Sequence, residues 1–276
     1  MQDAYRHCES LVRERDREAF LASLFAPEPQ RRGLHALYAF ALEIERVPDA
    51  VREPFAGEIR LQWWRDVLAG MRDDEAKANP VAAALLDTIA RTGIDAERLQ
   101  QAIDARQFDL AAQPMESQQE LLRYLDDTSG VIVALAAQLL EPGWNTEEAA
   151  KLAGRAIGML RLLRSLPKDI ANGRLFIPLD LLAANGVHTE SVMAGENSEG
   201  FQRTLSALAE SAERDAATLR SLRVPTGALP AFLRVALVPA SAARVRKTTD
   251  PFRMPLELSS LRSQFVIWRA ARTGRL

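Results

Sequence analysis

The stretch LYAFALEIERVPD, residues 37–49, decides the fold class predicted for this chain. Its first half is almost wholly apolar, and a helical repeat places Glu45 and Asp49 one turn apart on the same face, because side chains at i and i+4 are neighbours. Pro48 ends the helix, since proline has no N–H to donate to the preceding turn. The stretch therefore predicts an apolar helix with two carboxylates at its end.

This acidic pair has two interpretations. It is a solvated helix end, as isolated acidic pairs usually are, or it holds Mg²⁺ together with a diphosphate, because magnesium prefers a few carboxylates combined with phosphate oxygens. A second, altered copy of the pattern occurs far along the chain at Ser165 and Asp169. That repetition favours the magnesium–diphosphate interpretation.

The remainder of the chain also reads as helix, since apolar residues recur at three- and four-residue spacing and strand-like alternation is scarce. We expect a first helix that ends before residue 26, a bend near Gly130, a helix break at Pro167, and a short extended run up to Pro178. No low-complexity linker or internal repeat interrupts the pattern, so residues 1–276 are predicted to form one all-α domain. The further helices are expected at about residues 30–47, 57–71, 80–92, 95–109, 117–140, 146–166, 179–184, 199–221, 230–238 and 255–271.

The composition excludes several classes of protein. The chain has 276 residues, 47% of them hydrophobic, and a formal net charge of −2, so no basic excess suggests nucleic acid as a partner. One cysteine and three histidines argue against a disulfide framework and a zinc site. No glycine-rich nucleotide loop occurs, so NAD(P) is not expected.

The same reading predicts the compartment. No apolar run reaches the roughly 18 residues of a membrane span, and the first 17 residues are too charged for a signal peptide. We therefore expect a soluble, cytoplasmic protein, with a peripheral contact to the inner membrane left open. The basic run Arg244, Arg246 and Lys247 is either a solvated loop or a contact with an anionic membrane surface or with a diphosphate.

Five motifs, taken in order and spacing, carry a resemblance to a known family. They are EPQRR (28–32), LYAF (37–40), QFDL (107–110), ELLRY (120–124) and GRLFIP (173–178). Together they resemble the squalene/phytoene synthase family, which implies an isoprenoid synthase-type helical bundle around a central cavity. In that family two acidic motifs on facing helices hold Mg²⁺, and the metal holds isoprenyl diphosphates.

The resemblance also implies site residues. Those implied as catalytic and metal-binding are Glu45, Asp49 and Asp169. Those implied as substrate-binding are Tyr38, Tyr124, Arg161, Arg164, Ser165 and Arg174.

Several of these positions depart from the family pattern. Glu45 and Ser165 stand where the family has aspartates, Arg161 stands where it has asparagine, and Leu42 stands where it has arginine. Loss of a carboxylate at Ser165 would weaken a magnesium cluster. We therefore predict that Arg161 and Arg164, three residues apart on one helix, pair with the first acidic motif across the cavity.

A narrower resemblance fits these departures. The segments VPDAV (47–51), IRLQWWR (59–65) and DPF (250–252), together with Trp268-Arg269, resemble the respiratory complex I assembly factor 6 branch of the family, whose members have lost catalytic aspartates. This implies a non-catalytic role, with a protein partner in respiratory-chain assembly. The alternative is an active Mg²⁺-dependent prenyltransferase that condenses isoprenyl diphosphates.

Overall fold

The structure is a computed structural model that describes residues 1–51, 53–111, 113–254 and 256–276. Within these residues the secondary structure is helical and no strand occurs, so the all-α prediction is confirmed. The helices are α1 Gln2–Arg15, α2 Arg17–Ser23, α3 Glu28–Glu45, α4 Pro54–Leu68, α5 Asp73–Ala78, α6 Pro80–Thr92, α7 Ala96–Ala105, α8 Gln118–Leu125, α9 Val131–Leu140, α10 Glu147–Ala171, α11 Leu179–Ala184, α12 Thr189–Met193, α13 Glu199–Ser221, α14 Leu229–Phe232, α15 Val238–Lys247 and α16 Ser260–Thr273.

Helix α3 lies at the centre of the bundle. It begins after Pro27 and tolerates Pro29 because the first turn of a helix has N–H groups without intrahelical partners. Its side chains Leu34, Leu37 and Phe40 are fully buried, and α3 packs against α1, α6 and α9. The helix is therefore apolar on nearly every side until it reaches its acidic end.

The end of α3 differs from the prediction in one respect. The α-helix stops at Glu45, and residues Val47–Asp49 form a 3₁₀ turn. Because Pro48 cannot continue the α-helical ladder, the amides of Asp49 and Ala50 both bond to the carbonyl of Arg46 at 3.1 Å. Glu45 and Asp49 consequently point at different partners.

Helix α10 runs through Pro167 to Ala171, so the predicted break at this proline is wrong. A proline inside a helix costs about 3 kcal/mol. Leu163, Leu166 and Asp169 are buried on either side of it, and this packing offsets the cost. As a result α10 carries its whole polar face, from Arg161 to Asp169, on one continuous rod.

The predicted bend near Gly130 is a π-turn, Asp126–Gly130, that joins α8 to α9. Helix α10 packs directly against it, and a Cβ added to Gly154 would lie 2.3 Å from the Cα of Gly130. A Cβ on Gly158 would come within 2.7 Å of Ser129 Oγ. Glycine at these positions of α10 therefore sets how closely the polar face of α10 approaches its neighbours.

Three further predictions need correction near the C-terminus. The basic run Arg244–Lys247 forms the last turn of α15 instead of a loop, and the helix expected at 230–238 is α14 followed by a 3₁₀ turn, Leu233–Leu237. The helix expected from 255 begins at Ser260, while Pro255 itself lies outside the described residues. No helix in the described part of the chain has the length and apolarity needed to cross a membrane.

Candidate functional site

The polar ends of α3 and α10 face each other across a small cavity of about 80 Å³. Glu45 and Asp49 come from the end of α3 and its 3₁₀ turn, while Arg161, Ser165 and Asp169 follow one another along α10 at four-residue spacing. Tyr124 of α8 and Arg174 of the turn after α10 also line the cavity, as do residues just beyond α7. The structure thus brings together most of the residues predicted from the sequence.

Glu45 contacts the guanidinium of Arg161, as predicted. A second guanidinium, that of Arg106, lies 4.0 Å from the same carboxylate. Partial removal from water lowers the pKa of Arg161 to about 10, which still leaves it charged near neutral pH. Glu45 is therefore a carboxylate between two cations.

Asp49 and Asp169 share a single arginine. Arg174 Nη2 lies 2.7 Å from Asp49 Oδ1 and 2.8 Å from Asp169 Oδ1. Lys168 also contacts Asp49, and Ser165 Oγ donates a hydrogen bond to Asp169. Burial alone would raise the pKa of Asp49, but the hydrogen bonds from Lys168 and Arg174 outweigh it and hold that pKa below its ordinary value.

A third carboxylate system lies at the inner wall of the cavity. Arg106 donates to the hydroxyl of Tyr124 at 2.8 Å, and that hydroxyl donates to Asp109 Oδ1 at 2.8 Å. Arg106 Nη1 also lies 3.1 Å from Asp109 Oδ2. Burial raises the pKa of Asp109 in spite of the neighbouring guanidinium, and burial likewise raises the pKa of Tyr124 far above its usual range. The two residues form a closed hydrogen-bonded unit with Arg106.

The predicted pairing of Arg164 with the first acidic motif is wrong. Residues three apart on a helix diverge by about 60° around its axis, and Arg164 turns toward α2, where its Nη1 lies 3.1 Å from both carboxylate oxygens of Glu18. Lys168 and Arg174, and not Arg164, pair with Asp49.

Tyr38, predicted to bind substrate, does not line the cavity. It is 5% exposed, and its ring lies beneath the guanidinium of Arg234, 5.6 Å from the ring centroid. Arg234 in turn pairs with Asp16 at 2.9 Å. Arg164 and Arg234 line a wider cleft of about 670 Å³ that continues outward from the cavity, so Tyr38 is a residue of the wall behind this cleft.

Charges at the cavity balance among the described residues. Its carboxylates are Glu45, Asp49, Asp109 and Asp169, and its cations are Arg106, Arg161, Lys168 and Arg174. Across residues 1–51, 53–111, 113–254 and 256–276, no group of three or more His, Cys, Asp or Glu side chains is placed to hold a metal ion. Two buried atoms of the described residues make no hydrogen bond: Arg106 Nε, and Glu45 Oε2, whose contacts with Arg161 and Arg106 are ion pairs only.

Sequence reasoning missed Arg106 and Lys168. Each has a positional signal, because Arg106 directly precedes the QFDL motif and Lys168 directly precedes Asp169. Glu18 and Arg234 carried no such signal, since their partners lie more than 100 residues away along the chain. Tertiary packing, including that of α2 against the 3₁₀ turn after α14, brings them to the cleft.

Comparison with known proteins defines the class to which this chain belongs. The sequence profile of the squalene/phytoene synthase family matches residues 12–264, and the chain belongs to that family. A crystal structure of a dehydrosqualene synthase bound to a ligand superposes with a TM-score of 0.85, covering 99% of this chain and 96% of that one at 18% identity. The isoprenoid synthase-type fold is therefore confirmed.

Among individual relatives, complex I assembly factor 6 of Mus musculus is 30% identical over 234 residues, which span 84% of this chain and 70% of the mouse protein. Phytoene synthase of Thermus thermophilus is 26% identical over 211 residues, which span 75% of this chain and 71% of the Thermus protein. The chain is thus similar both to an assembly factor and to a synthase.

Proposed function

We propose that this chain is a non-catalytic member of the squalene/phytoene synthase family that acts as an assembly factor for a respiratory NADH dehydrogenase complex. The observation that carries the proposal is the state of the acidic residues at the cavity: Glu45, Asp49 and Asp169 each contact an arginine or lysine. The similarity to the mouse assembly factor supports the same conclusion.

The donor set does not fit a magnesium–diphosphate site. Magnesium demands near-octahedral oxygen ligands, and here a metal would first have to displace Arg161 from Glu45 and Arg174 from Asp49 and Asp169. Each displacement would break an ion pair that is partly removed from water, which has a cost. Ser165 adds a neutral hydroxyl to the site, and that hydroxyl already donates to Asp169.

The size of the cavity supports the proposal as well. Sites for small organic ligands usually enclose about 300–1,000 Å³. The cavity between α3 and α10 measures about 80 Å³, and the wider cleft of about 670 Å³, which shares Glu45, Asp49 and Arg161 with it, is lined mostly by charged side chains. An adjoining apolar pocket, lined by Leu121, Met159 and Leu208, adds only about 10 Å³. This apolar interior has little room for the hydrocarbon chain of an isoprenyl diphosphate.

The enzymatic half of the proposal is tested by incubating the chain with Mg²⁺ and farnesyl or geranylgeranyl diphosphate and measuring diphosphate release. We expect no release above the rate without protein. Turnover that disappears in Glu45→Ala and Asp49→Ala but persists in Glu213→Ala, a surface acid paired with Arg246, would overturn the proposal and favour a prenyltransferase.

A restored variant sharpens this test. Glu45→Asp, Arg161→Asn and Ser165→Asp together return the side chains that the family pattern has at these positions, and they remove the guanidinium that contacts Glu45. We expect calorimetry to detect Mg²⁺ binding to the triple variant and none to the unmodified chain. Equal Mg²⁺ binding by both proteins would contradict the proposal.

The assembly half is tested in cells that lack the chain. We expect less assembled NADH dehydrogenase complex on native gels, and recovery when the unmodified chain or Glu45→Gln is supplied. Glutamine keeps the size of Glu45 but cannot carry the charge that a metal site needs. Failure of Glu45→Gln to restore the complex, despite normal protein levels, would indicate that chemistry at Glu45 is required.

A further inference from the structure

The outer face of α16 is apolar although it points into solvent. Leu261, Phe265 and Trp268 are 80%, 58% and 48% exposed. Their spacing of four and three residues places them on one side of the helix. The Phe265 and Trp268 rings lie 6.2 Å apart, so the stripe is continuous along two turns.

The opposite face of the same helix is firmly packed. Ile267 and Ala270 are buried in a small cluster with Leu233 and Leu237 of the 3₁₀ turn after α14. Ser259 caps the start of the helix by accepting from the amide of Arg262. The inner face therefore fixes the orientation of α16, and this orientation leaves Leu261, Phe265 and Trp268 exposed.

Only positive charge accompanies the stripe. Residues 260–276 contain Arg262, Arg269, Arg272 and Arg275 and no aspartate or glutamate. Arg272 lies over the Trp268 ring, 5.8 Å from its centroid. No ion pair engages the four arginines within the part of the chain that the structure describes.

The basic run of residues 244–247 is a weaker candidate for contact with another surface than the outer face of α16. Arg246 pairs with Glu213 of α13 through two hydrogen bonds of 2.6 and 3.1 Å, and no large apolar residue in α15 is exposed. By contrast α16 also lies at the rim of the wide cleft, which Ser260 and Ser263 help to line.

We propose that the outer face of α16 docks flat on the surface of an anionic phospholipid bilayer. A leucine, a phenylalanine and a tryptophan flanked by arginines are the composition of a helix that lies in a membrane interface. The rings enter the headgroup region while the arginines reach the lipid phosphates along their aliphatic stems. The absence of acidic residues from 260–276 matches an anionic surface and would match an average protein surface less well. Docking in this way places the mouth of the cleft beside the membrane.

The experiment is co-sedimentation of the full chain with phosphatidylcholine vesicles prepared with and without phosphatidylglycerol. We expect binding only to the phosphatidylglycerol vesicles, weakened by added salt because screening shortens the reach of the arginine charges. Phe265→Ala with Trp268→Ala should lower the partition coefficient about tenfold or more, and Arg269→Gln should lower it about fivefold.

Phe55→Ala is the matched control, because Phe55 is a 70% exposed phenylalanine on α4. It should bind vesicles as the unmodified chain does. Circular dichroism and the melting temperature of every variant should be unchanged, since the substituted side chains are exposed. Absence of binding to anionic vesicles, equal losses in Phe55→Ala, or a lipid-free dimer that dissociates in Phe265→Ala with Trp268→Ala would each overturn the proposal.

Discussion

The cavity and the outer face of α16 both depend on arginine, and they use it in opposite ways. In the cavity Arg161 and Arg174 contact carboxylates, and Arg174 serves two of them. On α16 the arginines stand in water beside exposed aromatic rings. A charge removed from water needs a partner, whereas a solvated charge does not. The cavity charges are therefore paired within the protein, whereas no ion pair engages the arginines of α16 among the described residues.

The largest expected effect comes from breaking the shared contact in the cavity. Arg174→Met removes the cation between Asp49 and Asp169, whose side chains are 23% and 10% exposed. Because two partly buried carboxylates lose a partner, we expect urea unfolding to report a loss of about 3–5 kcal/mol.

Arg246→Met is the matched control for that substitution. It breaks a more exposed ion pair with Glu213, and such pairs contribute about 0–1 kcal/mol. Equal losses in the two variants would show that the cavity pairs are no more structural than those on the surface.

A buried histidine is a third case, in which a side chain that could carry a charge is kept neutral in the folded protein at neutral pH. His35 bonds to Ser23 Oγ at 2.8 Å and stacks on Phe20, and burial lowers its pKa from 6.5 to about 4. Below pH 6.5 the unfolded chain takes up a proton that the folded chain does not. The free energy of unfolding therefore decreases as the pH is lowered from 6.5 to about 4. The loss over this window is roughly 3 kcal/mol.

The measurement is the free energy of unfolding as a function of pH. His35→Gln should flatten the curve between pH 6.5 and pH 4, whereas His188→Gln, at an exposed site, should keep its slope. A His35→Gln curve as steep as that of the unmodified chain would contradict the assignment.

A smaller effect is expected where α10 meets the π-turn. Gly154→Ala would place a Cβ 2.3 Å from the Cα of Gly130, so α10 must shift, at a cost of about 1–3 kcal/mol. Gly130→Ala is milder, because its Cβ would lie 3.4 Å from the nearest atom, the carbonyl oxygen of Leu125. We therefore expect Gly154→Ala to have a lower melting temperature than Gly130→Ala. A higher melting temperature for Gly154→Ala would contradict this packing.

The smallest effect on stability is expected on α16. Arg269→Gln removes an exposed charge that makes no ion pair with the described residues, so urea unfolding should change by less than about 0.5 kcal/mol. A large destabilisation would place Arg269 among the structural arginines and weaken the contrast with the cavity.

Much of the fold could be predicted from the chain because its signals are local. The apolar run of α3 and the glycine near the π-turn each act within a few residues. Pro167 misled the prediction because the burial of Leu163 and Leu166, which outweighs its cost, is a tertiary effect. The pairing of Arg161 with Glu45 was predicted correctly. The pairing of Arg164 with Glu18 was not, because it depends on the position of α2, which is set by tertiary packing.

The most direct test of the central claim, that arginine and lysine have replaced metal at the acidic residues, is a crystal structure. The crystals would be grown with Mn²⁺, as an anomalous scatterer in place of Mg²⁺, and a non-hydrolysable farnesyl diphosphate analogue. We predict no anomalous peak at the cavity, with Arg161 still on Glu45 and Arg174 still bridging Asp49 and Asp169. Metal bound to Glu45 and Asp49, with Arg161 displaced, would contradict the account.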